Sequence, residues 1–155
     1  MEIRRATKDD IENIKKIVDR NFDDIISKYH SQNIVNKYKE HNSIESLMSQ
    51  LNWKKMYVMI DNGNLVGTGA FANFGTLDLA KYSISNLYVL PELHGKGIGT
   101  QLVNTLLSDA KDIKAKSFHV PSTRNAIPFY EKCGFAIDEI QIDKDDEITW
   151  MTMWL

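Results

Sequence analysis

The most informative stretch of the chain is residues 87–100, which read LYVLPELHGKGIGT. The residues leading into it predict a β-strand over Ile84–Val89, and Pro91 ends that strand. Apolar residues then recur at spacings of three and four, which predicts an amphipathic helix over Gly97–Lys111. Three alternate glycines therefore lie at the junction between a strand and a helix.

Gly95, Gly97 and Gly99 give this junction the chemistry of an anion site. Glycine lets backbone N–H groups approach a phosphate closely, and a helix N-terminus adds partial positive charge. Lys96 lies between two of the glycines and is predicted to add a direct phosphate contact. The junction therefore favours a pyrophosphate ligand, while a glycine-rich connection that merely turns the chain stays open as the simpler interpretation.

Two nucleotide-binding motifs fit this junction poorly. A P-loop requires G-x-x-x-x-G-K-[ST], which residues 95–100 do not match, so that class is rejected. A dinucleotide site requires G-x-G-x-x-G and an acidic residue at the end of the next strand. Here the spacing is G-x-G-x-G, and the next strand ends with Val120-Pro121-Ser122. A dinucleotide-binding domain, which would take a nicotinamide cofactor, is kept as a third hypothesis.

The first third of the chain is predicted to be mainly helical. After a short strand over Glu2–Arg5, Thr7 is a suitable N-cap, because Asp9 and Asp10 follow it at the positive end of a helix. Residues 22–51 carry a weaker helical signal that is polar and rich in Tyr and His.

The remaining strands are predicted from turn signals. Asn62-Gly63 predicts a tight β-hairpin, and Gly134 suits the left-handed end of a short helix over Asn125–Lys132. The predicted strands are Met56–Ile60, Leu65–Phe74, Ile84–Val89, Ser117–Val120, Phe135–Ile142 and Ile148–Trp154. The order strand, helix, strand between Ile84 and Val120 implies a right-handed parallel crossover. The predicted class is α/β, a mixed, mostly antiparallel sheet with one parallel β-α-β crossover and flanking helices.

Composition bounds the class of protein further. The 155 residues suit one domain over 1–155, and the net charge of −2 excludes a generally basic nucleic-acid-binding protein. The single cysteine, Cys133, excludes an intrachain disulfide framework. The polar N-terminus resembles no secretory signal, and no apolar run approaches the roughly 20 residues of a membrane span. We therefore expect no membrane partner and a cytoplasmic location.

The glycine-rich junction resembles the pyrophosphate loop of the GNAT superfamily of acetyl-CoA-dependent N-acetyltransferases, [QR]-x-x-G-x-[GA]. The aligned residues run from His94 to Gly99, and His94 stands in place of the usual Gln or Arg. The backbone cradle of the loop does not require that side chain, so the fold and the ligand are expected to be kept.

A second block, residues 125–135 with the sequence NAIPFYEKCGF, resembles the family's later motif N-x-x-A-x-x-F-Y-x-K-x-G-F. Taken alone, its aromatic residues are more typical of a helix end packed in the core. Together the two blocks, in this order and at this spacing, indicate the family. Thr123 stands where the family has Asn, and either its hydroxyl or Asn125 is expected to contact the pantetheine arm. The residues in register are Ala126, Phe129, Tyr130, Lys132, Gly134 and Phe135.

The resemblance implies that acetyl-CoA is the co-substrate of the chain. In the family, the strand before the glycine loop and the next strand splay apart, and the opened strand edge pairs with the pantetheine amides. The residues that this implies for acetyl-CoA binding are Leu87, Tyr88, Val89, His94, Gly95, Lys96, Gly97, Ile98, Gly99, Thr100, Thr123, Asn125 and Phe129.

The resemblance also implies catalytic roles. The backbone N–H of Val89, or a neighbouring backbone donor, is expected to stabilise the oxyanion. Tyr130 is the candidate general acid for the departing CoA thiolate. Glu92 is the carboxylate nearest the strand end and the candidate general base, and Asn86 is a polar alternative on the strand. Either residue can act through water. Glu92 as a solvated loop residue, and a reaction without a protein base, both stay open.

Other reactive residues have simpler interpretations. Cys133 suits an acyl carrier, but a free cysteine beside Phe135 is more typical of a small buried residue. His30, His41 and His119 lack metal-ligand spacing, so no metal is expected.

The resemblance implies that the acceptor lies opposite the CoA, against the early helices and the last hairpin. The last hairpin is rich in acidic residues. They either form a rim that attracts a cationic amine or belong to a solvated turn. They are Asp138, Glu139, Asp143, Asp145, Asp146 and Glu147. The acceptor is a small-molecule or peptide amine: a polyamine-like amine, an aminoglycoside, an amino acid, or a protein N-terminus or lysine.

The predicted function is an N-acetyltransferase that transfers an acetyl group from acetyl-CoA to a primary amine directly, in a ternary complex. The alternative is a non-catalytic acyl-CoA-binding or sensing module. The apolar last strand, with Trp150 and Trp154, either fills the core or covers a homodimer interface.

Overall fold

The computed structural model describes the backbone of residues 1–155 and the side chains of residues 1–138 and 144–155. Within this backbone, seven strands form one sheet flanked by five α-helices. The strands are β1 (Glu2–Arg5), β2 (Lys55–Asp61), β3 (Asn64–Asn73), β4 (Tyr82–Val89), β5 (Ser117–Ser122), β6 (Ala136–Asp143) and β7 (Ile148–Trp154). The helices are α1 (Ile11–Asp24), α2 (Gln32–His41), α3 (Ile44–Gln50), α4 (Ile98–Asp112) and α5 (Ile127–Cys133).

The sheet has the order β1-β2-β3-β4-β5-β7-β6. The pair β4–β5 is parallel and is joined through α4, whereas the other neighbouring pairs are antiparallel. The predicted α/β class with one parallel crossover is therefore confirmed. β7 lies between β5 and β6, an order that local patterns do not specify because it depends on which strand of the last hairpin pairs with β5.

The β2–β3 hairpin turns at the predicted residues. Asn62 and Gly63 have φ angles of +50° and +80°. A two-residue hairpin turn of the type I′ class requires left-handed φ at both positions, which Asn and Gly adopt at low cost. Asp61 therefore pairs with Asn64 directly across the turn.

The first helix begins at the predicted Thr7, through a short 3-10 turn over Lys8–Asp10. The carboxylate of Asp10 accepts a hydrogen bond from the Thr7 backbone N–H at 2.8 Å. Both Asp10 oxygens also accept from the Arg4 guanidinium at 2.9 Å, and this pairing lowers the pKa of Asp10. One buried carboxylate thus joins β1 to the start of α1.

The weaker helical signal over residues 22–51 corresponds to two further helices, α2 and α3. Ser43 caps α3 by accepting a hydrogen bond from the Ser46 N–H at 3.1 Å. The predicted helix over residues 125–132 begins as a 3-10 turn over Arg124–Ala126 and continues as α5. It ends at Gly134, with φ +106°, as predicted.

The two faces of the sheet are covered by different helices. Met56 and Val58 of β2 pack under α1, α2 and α3, whereas Met59 and Tyr57 face α4 on the other side. This alternation follows from the two-residue period of a strand. In the described part of the chain, no helix has both the length and the apolar character that a membrane crossing requires.

β4 separates from β5 over most of its length. The register joins the two strands at Ser83 and His119 alone. β4 also carries one extra residue against β3, because Thr68 pairs with Tyr88 while Ala70 pairs with Ser85. Asn86, with φ +53°, lies in this bulge. A bulge increases local twist, so the carboxyl ends of β4 and β5 diverge and leave a gap between them.

Candidate active site

A cavity of about 660 Å³ occupies the gap between β4 and β5. We call one part the loop half; it is lined by Val89, His94, Gly95, Gly97, Ile98, Gly99, Thr100, Thr123, Asn125 and Phe129. The other part, the polar half, is lined by Tyr38, His41, Asn42, Gln50, Lys54, Ser85 and Asn86. Leu87, Tyr88 and Tyr130 also line the cavity. Of the residues predicted to bind acetyl-CoA, Lys96 alone lies outside this lining, and its side chain is exposed.

The glycines of the loop half are required for two different physical reasons. Gly95 and Gly97 adopt φ angles of +79° and +86°, which disfavour any residue with a Cβ. Gly99 is helical, but a Cβ there would lie 3.1 Å from Cζ of Phe129. The loop therefore brings backbone and aromatic ring into close contact at the start of α4.

The start of α4 presents unpaired backbone donors to the cavity. The first helical hydrogen bond runs from the Gln101 N–H to the Gly97 carbonyl at 3.0 Å. The N–H groups of Ile98, Gly99 and Thr100 precede it and have no helical acceptor. Such a helix start, with its partial positive charge, is suited to an anionic ligand.

The end of β4 directs a backbone donor into the gap. Leu90 donates its N–H to the Val66 carbonyl of β3 at 2.9 Å. Because alternate residues of a strand direct their N–H and C=O to opposite edges, the backbone groups of Val89 face away from β3. The Val89 carbonyl accordingly accepts from Asn21 Nδ2 at 2.9 Å and from His94 Nε2 at 2.8 Å. The Val89 N–H shares that edge and faces the gap.

Asn21 and His94 thus hold the end of β4 in place. A carbonyl only accepts, so Nε2 of His94 carries the proton in this contact. Asn21 is buried and was missed by sequence reasoning. Its signal is an amide within the apolar stripe of α1, four residues after Ile17 and one before Phe22.

Tyr130 lies at the inner wall of the cavity. Its ring packs edge-on against Phe129 and Phe135, with centroids 5.1 Å and 5.8 Å apart. Burial, reinforced by the nearby Tyr88, raises the pKa of Tyr130 above its usual range. The phenol therefore stays protonated and is available as a hydrogen-bond donor.

Asn125 offers an unused acceptor to a ligand. Its Oδ1 is buried and has no hydrogen-bond partner among the described residues. A buried amide oxygen without a partner is costly, and an N–H from a bound molecule relieves that cost. The amides of a pantetheine arm have this chemistry, so the loop half fits acetyl-CoA at this point.

Glu92 is not brought into the cavity. Its carboxylate pairs with the Arg20 guanidinium at 2.8 Å, and more than half of its side chain is exposed. The hydrogen bond from Arg20 lowers the pKa of Glu92, which weakens it as a base. The residue therefore joins α1 to the turn after β4.

A hydrogen-bond network fills the polar half. Lys54 Nζ donates to Ser85 Oγ at 3.0 Å and to Asn86 Oδ1 at 2.9 Å. The Asn86 amide donates in turn to Asn42 Oδ1 at 3.2 Å and Gln50 Oε1 at 3.0 Å. Burial lowers the pKa of Lys54 to about 8. Asn86 was singled out from the sequence, whereas the other members were not, because their meeting depends on tertiary contacts.

The described acids of the last hairpin lie outside the cavity lining. Asp146 pairs with Lys37, and Glu147 contacts His30 Nδ1 at 3.1 Å and Ser31 Oγ at 2.6 Å. These contacts tie the hairpin to the start of α2. The side chains of Glu139 and Asp143 fall outside the described residues.

Cys133, His30 and His119 occupy structural positions, whereas His41 lines the polar half of the cavity. Cys133 is half-buried outside the cavity lining, and burial raises the pKa of its thiol. His30 accepts from the Arg124 backbone N–H at 3.0 Å through Nε2. His119 contacts Ser117 on its own strand, β5, and Thr152 on the adjacent β7.

A splayed parallel strand pair with a glycine-rich helix start beside it is suited to an extended anionic ligand along one strand edge. Comparison with known proteins gives the family. The model of the Acetyltransferase (GNAT) family matches residues 21–135, and the chain belongs to that family.

A curated relative agrees with this assignment. GCN5-related N-acetyltransferase 3, chloroplastic, of Arabidopsis thaliana is 31% identical over 110 residues, which is 67% of this chain and 43% of that protein. The chain thus spans less than half the length of this curated relative.

Two solved structures share the fold over nearly the whole chain. The PaiA N-acetyltransferase from Thermoplasma acidophilum, in complex with coenzyme A, superposes with a TM-score of 0.84 at 19% identity, covering 99% of this chain and 98% of that one. A GNAT family acetyltransferase from Brucella melitensis, in complex with acetyl-CoA, gives 0.71 at 17% identity, covering 99% and 87%.

Proposed function

We propose that this chain is an N-acetyltransferase that transfers the acetyl group of acetyl-CoA to a primary amine directly, in a ternary complex. The observation that carries the proposal is one continuous cavity that joins the loop half to the polar half along β4. Two substrates can therefore meet at the same strand edge. The neighbours solved with coenzyme A and acetyl-CoA support the choice of donor.

The loop half binds the acetyl-CoA, which supplies the thioester acyl group. The N–H groups of Ile98, Gly99 and Thr100 bind the pyrophosphate at the start of α4. The edge of β4 at residues 87–89 pairs with the pantetheine amides, as an added strand does. Thr123 and the unpartnered Asn125 Oδ1 complete the contacts to the arm.

The end of β4 supplies the electrostatic contribution to catalysis. The Val89 N–H faces the gap and stabilises negative charge that develops on the thioester oxygen during amine attack. Asn21 and His94 hold the Val89 carbonyl, so this donor needs no reorganisation when the charge develops. A fixed donor of this kind contributes more than a mobile water.

Tyr130 assists the departure of the CoA thiolate. Its raised pKa lies well above that of a thiol, about 8.5, so full proton transfer is unfavourable. The phenol acts mainly by donating a hydrogen bond to the developing thiolate.

The acceptor amine loses its proton to solvent water. No carboxylate lines the cavity among the side chains of residues 1–138 and 144–155, and Glu92 is paired with Arg20. Asn86 already accepts from Lys54 and Ser85 and donates to Asn42 and Gln50. Ser85 Oγ keeps one acceptor position and is the polar group of β4 that can orient such a water.

The proposal is tested by a thiol-release assay with acetyl-CoA and a panel of primary amines, together with calorimetric titration of acetyl-CoA, CoA and NAD. We expect binding of acetyl-CoA and CoA, and thiol release that depends on an amine. Binding of acetyl-CoA without release would support a non-catalytic acyl-CoA-binding module. Binding of NAD in place of CoA would support a dinucleotide-binding domain.

A further inference from the structure

The polar half of the cavity carries one positive charge without a matching negative charge. Lys54 is the lysine or arginine there, and none of the ion pairs among the described side chains includes it. The other lysine of the lining, Lys132, lies at the exposed end of α5.

The ammonium of Lys54 is held in position by its neighbours. Ser85 Oγ and Asn86 Oδ1 accept two of its three N–H bonds, and both belong to the bulged part of β4. The rings of Trp53 and Phe74 lie 5.0 Å and 5.4 Å from Nζ. These aromatic faces favour the charged form and fix the direction of the side chain.

The amide donors around Lys54 are already used. Asn86 donates to Asn42 and Gln50, and the Gln50 amide donates to the His41 carbonyl at 2.7 Å and to Ser46 Oγ at 2.9 Å. The third N–H of Lys54 is therefore the charged donor that remains for a ligand.

The electrostatics of this arrangement select the charge of the acceptor. A half-buried ammonium without a counter-ion bears a desolvation cost, which an anionic ligand offsets and a second cation increases. A polyamine would bring a further positive charge to this half of the cavity. One ammonium suits a singly charged carboxylate better than a doubly charged phosphate ester.

We infer that Lys54 binds the carboxylate of the acceptor, so that the amine substrate is an amino acid. The inference rests on the proposed function, because it assigns the second substrate of the same site. Ser85 and Asn86 act as positioning residues, since they hold Lys54 through its ammonium.

The test compares matched acceptors that differ only in charge. Amino acids, including α-, β- and γ-amino carboxylates, are assayed beside the corresponding carboxamides for kcat/KM in acetyl-CoA-dependent acetylation. The variants are Lys54→Gln, Lys54→Arg and, as a surface control, Lys116→Gln. We expect wild type and Lys116→Gln to prefer the carboxylate at least about tenfold, which is about 1.4 kcal/mol.

In Lys54→Gln the ratio of kcat/KM for the carboxylate to kcat/KM for the matched carboxamide should fall about tenfold or more, while the calorimetric Kd for acetyl-CoA stays near wild type. Lys54→Arg should retain most of the preference, because the charge is kept. A turnover-independent readout is calorimetry of the N-acetyl amino acid and its amide with the CoA-loaded protein.

The possible failures are distinguishable. Equal or better acetylation of carboxamides or polyamines, or a carboxylate preference that survives in Lys54→Gln, overturns the inference and leaves the proposed function intact. Acetyl-CoA binding without acetylation of any amine overturns the proposed function, and the inference with it.

Discussion

Tyr130 and Val89 place two hydrogen-bond donors on the same cavity, one from a side chain and one from the backbone. The phenol is buried among aromatic rings and stays protonated. The Val89 N–H is fixed because Asn21 and His94 hold the carbonyl of the same residue. Donors held in this way suit charge that appears only during a reaction.

Tyr130→Phe removes the proposed donor to the thiolate and keeps the ring packing. We expect kcat to fall about 100-fold, at the lower end of the range for a general acid, because the phenol donates a hydrogen bond rather than a full proton. The calorimetric Kd of Tyr130→Phe for acetyl-CoA should stay within about twofold of wild type. The control variant Tyr29→Phe changes an exposed tyrosine, and its kcat should also stay within about twofold of wild type. Unchanged turnover of Tyr130→Phe with saturating acceptor would exclude this role.

Individual residues also show the limits of sequence reasoning. The glycine loop and the Asn62-Gly63 turn were predictable, because left-handed φ and a helix start are local properties. The contact from Asn21 to Val89 and the network around Lys54 were not, because they join residues 68 and 32 positions apart.

At the scale of elements, the β1–α1 connection depends on the Asp10 carboxylate. Arg4 lowers the pKa of Asp10 in the folded protein. The ionised carboxylate therefore stabilises the fold fully at pH values above about 3.9, the pKa of Asp in the unfolded chain. This contribution is lost as the pH falls through the lower pKa of the folded state. We expect Asp10→Asn to lower the free energy of unfolding by about 1–2 kcal/mol at pH 7, and by much less near pH 2. Urea unfolding of both proteins at the two pH values measures this, and an equal difference at both would contradict the ionic origin.

The contact between the start of α4 and α5 determines how closely the glycine loop packs against Phe129 in the loop half. Gly99→Ala forces a methyl group against Phe129, which lies 3.1 Å from the Cβ position. Overpacking of this kind costs about 1–3 kcal/mol, so we expect a lower Tm and weaker acetyl-CoA binding. The double variant Gly99→Ala/Phe129→Leu should recover part of the Tm and part of the acetyl-CoA affinity, because the smaller leucine side chain leaves room for the added methyl group. If Gly99→Ala binds acetyl-CoA with the affinity of wild type, the close packing of residue 99 against Phe129 is not required for binding.

The order of elements was largely predictable, whereas the spatial order of the last strands was not. Periodicity and turn residues indicate where strands and helices begin, and the parallel crossover follows from strand, helix, strand. The insertion of β7 between β5 and β6 depends on long-range pairing of Ser117–Ser122 with residues 149–154. Local patterns carry no information on that choice.

At the scale of the whole molecule, the divergence of β4 and β5 makes one cavity out of two different surfaces. The glycine loop contributes backbone donors that are suited to an anion, and the early helices contribute a polar network with one lysine. The acidic residues Asp146 and Glu147 are used to fasten the last hairpin to α2. The near-neutral net charge is therefore the sum of local surfaces that carry different charges. Among the described side chains that line the cavity, none is acidic.

The central claim is that both substrates occupy this cavity together and the acetyl group passes directly between them. Initial rates measured over a grid of acetyl-CoA and amine concentrations test it most directly. We predict double-reciprocal lines that intersect, with one acetylated amine formed for each thiol released. Parallel lines, as an acyl-enzyme on a residue such as Cys133 would give, or thiol release without acetylated amine, would contradict it.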